Sequence, residues 1–222
     1  MLIAGIINHD DSCETANLVS LIMSETGVKV SIVDSKLLSE LDCKRISSYI
    51  NELDKNNTDI LLLKINLKDI DKEFLKFINF DIIIHSEKSD DLIKEEHKFA
   101  NIWKTRLLSS LKDNGTVIVN IDDSELVEYL QRMKCNIITY GFNSKACITA
   151  SSIGDTISNS SFICCQQKII CAKNGKKVEP QEYKIEIENT DADEYDLLAA
   201  ASFAIANGID LNSALKAKSL SK

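Results

Sequence analysis

The sequence predicts an α/β fold: a doubly wound, mainly parallel sheet flanked by helices, with a small antiparallel β annex. Three observations predict it. Six short runs rich in Ile, Val and Leu recur through the first two-thirds of the chain, none longer than seven residues and most apolar on both faces. Strands buried between two layers read this way. Helix-length amphipathic segments separate the runs, and short connections between alternating strands and helices mean a parallel sheet covered on both sides. After Gly141 the helical period disappears and turn-punctuated extended stretches replace it.

The elements follow in order. Residues 2–7 (LIAGII) are the first strand. Residues 13–26 are the first helix, ended by Gly27, a residue suited to the left-handed position after a helix. Residues 29–34 (KVSIVD) are the second strand and 37–53 the next helix. The third strand is 59–65 (DILLLKI), followed by a short helix over 72–79 and a strand over 81–85 (DIIIH). The longest helix spans 94–111, with Trp103 on the side that packs against the sheet, and Asn114-Gly115 separates it from the strand 116–121 (TVIVNI). Ser124 caps a helix over 124–134, and 136–140 (NIITY) closes the parallel series.

Residues 145–190 form the annex. Asn174-Gly175 marks a hairpin, and 183–187 (YKIEI) alternates like a half-exposed strand. Residues 179–196 carry eight acids against one base and read mostly as solvated strand and loop. The segment 197–207 (LLAAASFAIAN) is nearly all apolar, so it is a buried helix ended by Gly208. A last helix starts at Asn212 or Ser213 and runs to Lys222. The expected organisation is one domain over 1–222: a parallel core (1–144), the annex (145–190) and closing helices (191–222).

Composition narrows the function classes. The 222 residues are 44% hydrophobic and 27% charged, which suits a globular domain with a sizeable core. A net charge of -8 disfavours a phosphate backbone as partner, so no nucleic acid is expected. Seven scattered cysteines, an odd number without a C-x-x-C pair, point to a reducing cytoplasm. The opening apolar run meets Asp10 and Asp11 too soon for a signal peptide. No stretch approaches the roughly 20 apolar residues of a membrane helix, so no membrane partner is expected.

The first strand–turn–helix is where open α/β sheets bind phosphates, because free N–H groups and the helix dipole point at the anion. A working phosphate loop needs glycines, a Lys for the β/γ-phosphates and a Ser or Thr hydroxyl for Mg²⁺. Here the loop reads Ile7-Asn8-His9-Asp10-Asp11-Ser12-Cys13-Glu14-Thr15, with no glycine and no lysine. Carboxylates beside a triphosphate repel it. The loop reads as a helix cap, with a cation site at Asp10, Asp11 and Glu14 as the alternative. His9, His85 and His97 are not spaced as ligands on one element, and His85 at a strand end reads as packed or capped.

Residues 2–34 resemble the opening of the central, ATP-binding domain of the Mur ligase family, a strand followed by T-G-T-N-G-K-T-T and a helix. In that register the two family glycines fall on Asn8 and Asp11, the Lys on Ser12 and the Mg²⁺-binding Thr on Cys13. Residues 59–67 resemble the strand ending in E-x-S-S, with Lys64 at the metal-binding Glu. Residues 80–84 resemble the strand before a T-N-x-x-x-D-H-L-D motif whose His is absent here. Residues 99–111 resemble the helix bearing a carbamylated Lys, which Lys104 matches. Residues 115–123 (GTVIVNIDD) match G-x-x-V-x-N-x-D-D, keeping Asn120, Asp122 and Asp123 near the nucleotide, and Thr139-Tyr140-Gly141 follows. The alternative reading of that stretch is a strand end with polar caps. Residues 194–201 resemble N-x-x-N-x-L-A-A, with Asp196 where the family Asn faces adenine. The family's N-terminal UDP-sugar domain and C-terminal amino-acid domain have no counterpart, so a central domain alone is expected.

Three readings of function remain. Set against that resemblance, the loss of the phosphate-loop Gly, Lys and Thr and of the metal-binding Glu points to a non-catalytic binding or regulatory homologue linked to cell-envelope or amino-acid polymer synthesis, without a cofactor and working with another protein or a second copy. The alternative is an ATP- and Mg-dependent carboxylate–amine ligase subunit that needs partner domains, with Lys104 catalytic and Asn120, Asp122, Asp123 and Asp196 at the nucleotide. The third is an assembly protein, whose mark is a large exposed apolar patch.

Overall fold

Strands that are apolar on both faces need cover on both sides, and the chain supplies it. A computed structural model of the protein describes residues 1–8, 13–66, 73–86, 109–122, 130, 134–156, 159–187 and 192–212. β1 (Leu2–Asn8), β2 (Val30–Asp34), β3 (Ile60–Asn66), β4 (Phe80–His85), β5 (Leu111–Asn120) and β6 (Asn136–Tyr140) pair in parallel, in the spatial order β6-β5-β4-β1-β3-β2. One face sends Ala4, Ile6, Leu62, Ile82, Ile84, Ile118 and Tyr140 into a core shared with α1 (Glu14–Ser24) and α4 (Glu194–Ala206). The other face buries Ile7, Leu61, Leu63, Ile65, Ile83, Val117 and Val119 against Leu38, Ile46, Phe74, Leu75 and Ile78. Those last residues come from α2 (Ser35–Ser39), α3 (Cys43–Lys55) and the 3₁₀ turn Glu73–Phe77 with the residue after it.

The expected strands and the buried closing helix are present. Every residue from Leu197 to Ala206 is buried, and the run of small side chains lets α4 lie close on α1, β5 and β6. Its end is fixed by Gly208 at φ +78°, where a Cβ would come within 2.3 Å of the Asn174 amide. Asn174-Gly175 turns the expected hairpin between β9 (Ile170–Cys171) and β10 (Lys177–Val178).

Four details differ from the sequence reading. The helix expected over 37–53 is two helices, because Asp34 and Asp42 each turn a side chain onto the backbone N–H of Lys36 and Arg45, both at 2.9 Å. Each cap starts a new helix. The segment near 72–79 is only a 3₁₀ turn. Leu111 belongs to β5, opposite Phe80, and Asn114-Gly115 sits inside that strand at a register shift, with Asn114 at φ +61°. The annex is antiparallel, as expected, and most of it joins the main sheet: β7 (Ile148–Thr156), β8 (Asn159–Gln166) and β11 (Gln181–Ile187) continue the sheet past β6, giving nine strands among the described residues. Only β9 and β10 form a separate antiparallel pair among the described residues. The helices expected over 94–111 and 124–134, Trp103, and the last helix lie almost wholly outside the described residues.

Candidate functional site

From β1 the chain goes to the edge strand β2, returns to β3 beside β1, and then crosses to the other side of β1 for β4, β5 and β6 in turn. The crevice at the carboxyl ends beside β1 is the topological switch point, where open α/β sheets place ligands. Asn8 ends β1, Lys64 and Asn66 end β3, His85 and Ser86 end β4, Asn120 and Asp122 end β5, and Gly141 follows β6. The sequence-derived candidates Asn8, Cys13, Asn120, Asp122 and Asp196 are therefore brought to one end of the sheet. Asp11, Ser12, Lys104 and Asp123 lie outside the described residues, as do His9, Asp10 and His97.

The floor is tied by buried groups. Ser86 closes β4 over β1, its hydroxyl donating to the Ile7 carbonyl at 3.0 Å. His85 is buried, as a packed strand-end residue, and its carbonyl accepts the Tyr140 hydroxyl at 2.8 Å. Burial pushes the Tyr140 phenol far above its ordinary range, and the carboxylates of Asp196, Asp193 and Asp122 push in the same direction.

The β5 end forms a closed network. The Asn120 side-chain carbonyl accepts the Asp122 N–H at 3.0 Å. The Asp122 carboxylate accepts the Phe142 N–H at 3.0 Å and the Tyr195 hydroxyl at 3.3 Å. Gly141, at φ +138°, sits against this carboxylate; a Cβ there would stand 2.6 Å from Asp122 Oδ2 and 2.8 Å from Asn120 Oδ1. Phe142 and Tyr195 meet edge to face, with ring centroids 5.0 Å apart. Asn120 and Asp122 thus join the ends of β5 and β6 to the first turn of α4.

Asp196 is equally engaged. It completes a capping box with Asp193: the Asp193 side chain accepts the Asp196 N–H at 2.9 Å, and the Asp196 side chain accepts the Asp193 N–H at 3.3 Å. Its second oxygen accepts the buried Thr15 hydroxyl at 2.5 Å. That bond ties α4 to the first turn of α1.

The phosphate-loop end and the third strand differ in charge from a nucleotide site. Cys13 is the N-cap residue of α1, only 4% exposed, and its side chain makes no cap hydrogen bond. Glu14 stands in the first helical turn. Lys64 projects from the α1 side of the sheet, beside Ile6 in register, and its ammonium lies 3.5 Å from Asp34 Oδ2 on β2. Sequence reasoning missed Thr15, Asp34 and Tyr195. Only Asp34 left a legible signal, as the acid ending an apolar strand.

A mainly parallel sheet covered by helices, with a crevice at the β1 switch point, places this chain among the open α/β proteins. A family model described as the Mur ligase middle domain matches residues 13–188, so the chain belongs to that family. It is 28% identical over 138 residues to the UDP-N-acetylmuramate–L-alanine ligase of Buchnera aphidicola subsp. Acyrthosiphon pisum (strain Tuc7), an alignment covering 60% of this chain and 26% of that ligase. Among solved structures, a UDP-N-acetylmuramoyl-L-alanyl-D-glutamate–2,6-diaminopimelate ligase superposes with a TM-score of 0.70 at 14% identity, covering 97% of this chain and 45% of that one. The MurF ligase from Thermotoga maritima in complex with ADP does so at 0.63 and 12% identity, covering 96% and 48%. The chain therefore spans about a quarter of the curated relatives it matches and under half of these solved ligases. The fold and the kinship to peptidoglycan-synthesis ligases are those of the middle domain.

Proposed function

We propose that the protein is a non-catalytic binding or regulatory relative of the peptidoglycan ligases, in which the middle-domain scaffold is kept and the MgATP chemistry is given up. The observation that carries this reading is the N-terminus of α1. The residue that in register would offer a hydroxyl to Mg²⁺ is the buried thiol Cys13. Mg²⁺ takes oxygen ligands, so a thiol is a poor replacement. Glu14 adds negative charge where the helix dipole would otherwise attract phosphate. Asp10, Asp11 and Ser12 stand where the family has Asn, Gly and Lys. Lys64, at the place of an acidic metal ligand, brings a cation instead. The residues present do not fit a metal-bound triphosphate.

A second reading is favoured by the retention of Asn120 and Asp122 at the end of β5: a carboxylate–amine ligase subunit that takes ATP and Mg²⁺ with partner domains. Titration calorimetry of the purified chain with ATP and Mg²⁺ separates the two. The non-catalytic reading expects no saturable heat and no thermal stabilisation at millimolar ATP. Saturable binding overturns it and puts the ligase reading first. Partners of the non-catalytic form, another protein or a second copy, are then sought by pull-down and by the mass of the protein in solution.

A further inference from the structure

We propose that the Asp34–Lys64 ion pair is a built-in counter-charge that keeps the crevice free of divalent cations. The inference deepens the non-catalytic reading and rests on it. β2 and β3 pair in register with Asp34 opposite Lys64, so the two side chains leave neighbouring strands at the same level. Leu62 lies in the α1-side core and Leu63 and Ile65 in the opposite one, so the alternation of the strand puts Lys64 on the α1 side. There it stands at the carboxyl end of β3, next to the strand that leads into the loop before α1.

The pair is half-sheltered, with side chains 27% and 31% exposed, so water screens it less than a surface pair. Asp34 is fixed a second time, because its other oxygen accepts the Lys36 N–H at the start of α2. An anchored carboxylate at the carboxyl end of β2 is a natural first ligand for a hard cation, which seeks carboxylate oxygens. Lys64 satisfies that carboxylate with one internal positive charge and repels a second, mobile one. The position thus decides whether this corner takes a metal, and the side chain present decides against it.

The prediction concerns the metal alone, without nucleotide, so it fails or stands separately from ATP binding. Mn²⁺ binding is followed by loss of the free-ion electron paramagnetic resonance signal, and Mg²⁺ by thermal shift. The full chain is expected to take up no stoichiometric Mn²⁺ at millimolar concentration. Lys64→Glu places two carboxylates side by side and is expected to gain a single Mn²⁺ site at least ten-fold tighter than wild type, with stabilisation by Mg²⁺. Should that variant not fold, Lys64→Gln removes the positive charge alone and is expected to tighten Mn²⁺ binding several-fold. Adding Asp34→Asn to either variant should cancel the gain. The proposal is overturned by a wild-type Mn²⁺ site as tight as that of the variants, or by folded Lys64→Glu and Lys64→Gln proteins that gain nothing. Saturable ATP binding to a wild-type chain that takes no Mn²⁺ would count against the non-catalytic reading while leaving the metal result intact.

Discussion

Two residues at the β6 end show how little freedom the crevice floor has. Tyr140 is wholly buried and spends its hydroxyl on the His85 carbonyl, so one side chain on β6 reaches across β5 to tie β4. Tyr140→Phe keeps the ring and removes the donor, so it should cost about 1–2 kcal/mol of unfolding free energy, read from the urea midpoint. Gly141 has a stricter demand. Its φ is +138°, and a methyl group on its Cα would come within 2.6 Å of Asp122 Oδ2, so there is no room for a side chain. Gly141→Ala should destabilise by about 2–4 kcal/mol through backbone strain and displacement of the Asp122 network. Loss of the Phe142–Tyr195 edge contact in the near-ultraviolet circular dichroism would mark the same event.

At the scale of elements, α4 is the helix on which the site side of the molecule depends. Its interior is held by burial, its N-terminus by the Asp193–Asp196 capping box, and its position by the Thr15–Asp196 bond. Asp193→Ala should cost about 1 kcal/mol, the usual value of an N-cap. Thr15→Val leaves the Asp196 carboxylate one donor short and should cost about 1–3 kcal/mol. In a double-mutant cycle with Asp196→Ala the two losses should not add, because they share one bond. Additive losses would mean that α1 and α4 are held by apolar packing alone. Much of this element was legible. The run LLAAASFAIAN announces a buried helix, and Gly208 its end. The partner of Asp196 was not legible, because Thr15 lies 181 residues away and nothing in either segment encodes the other.

For the whole molecule, alkaline pH is the informative stress. Burial pushes the Tyr183 phenol from an ordinary value of 10.0 up to about 12, and Asp210 adds to the shift. Tyr140 is displaced in the same direction, as are the Cys164 and Cys135 thiols, again by burial. A raised folded-state value means that the folded protein holds the neutral form more tightly than the unfolded chain. For the phenols the associated stability is complete below pH 10 and is lost as pH rises from 10 through about 12, and for the thiols the loss begins at their ordinary value of 9.0. Urea midpoints should therefore hold steady up to about pH 9 and then fall steeply, and Tyr183→Phe should flatten the fall. A profile that stays flat to about pH 11 would show that these groups ionise without cost.

Periodicity, turn chemistry and motif order are local properties of a chain, so the alternation of strands and helices, the parallel core, the hairpin at Asn174-Gly175 and the family could be read from the residues alone. The residues also showed which phosphate-loop side chains are missing, since a residue's identity needs no fold to be read. Only the assembled sheet shows that the antiparallel strands β7, β8 and β11 of the annex join the main sheet, because the open edge of β6 offers hydrogen-bonding groups that only strand order reveals. The tertiary structure decided, too, that Asp122 and Asp196 are spent on Phe142, Tyr195 and Thr15, and that Lys64 meets Asp34. A hydrogen bond or ion pair between distant segments depends on which strands become neighbours and on which face each side chain leaves, and that is settled only when the whole sheet assembles.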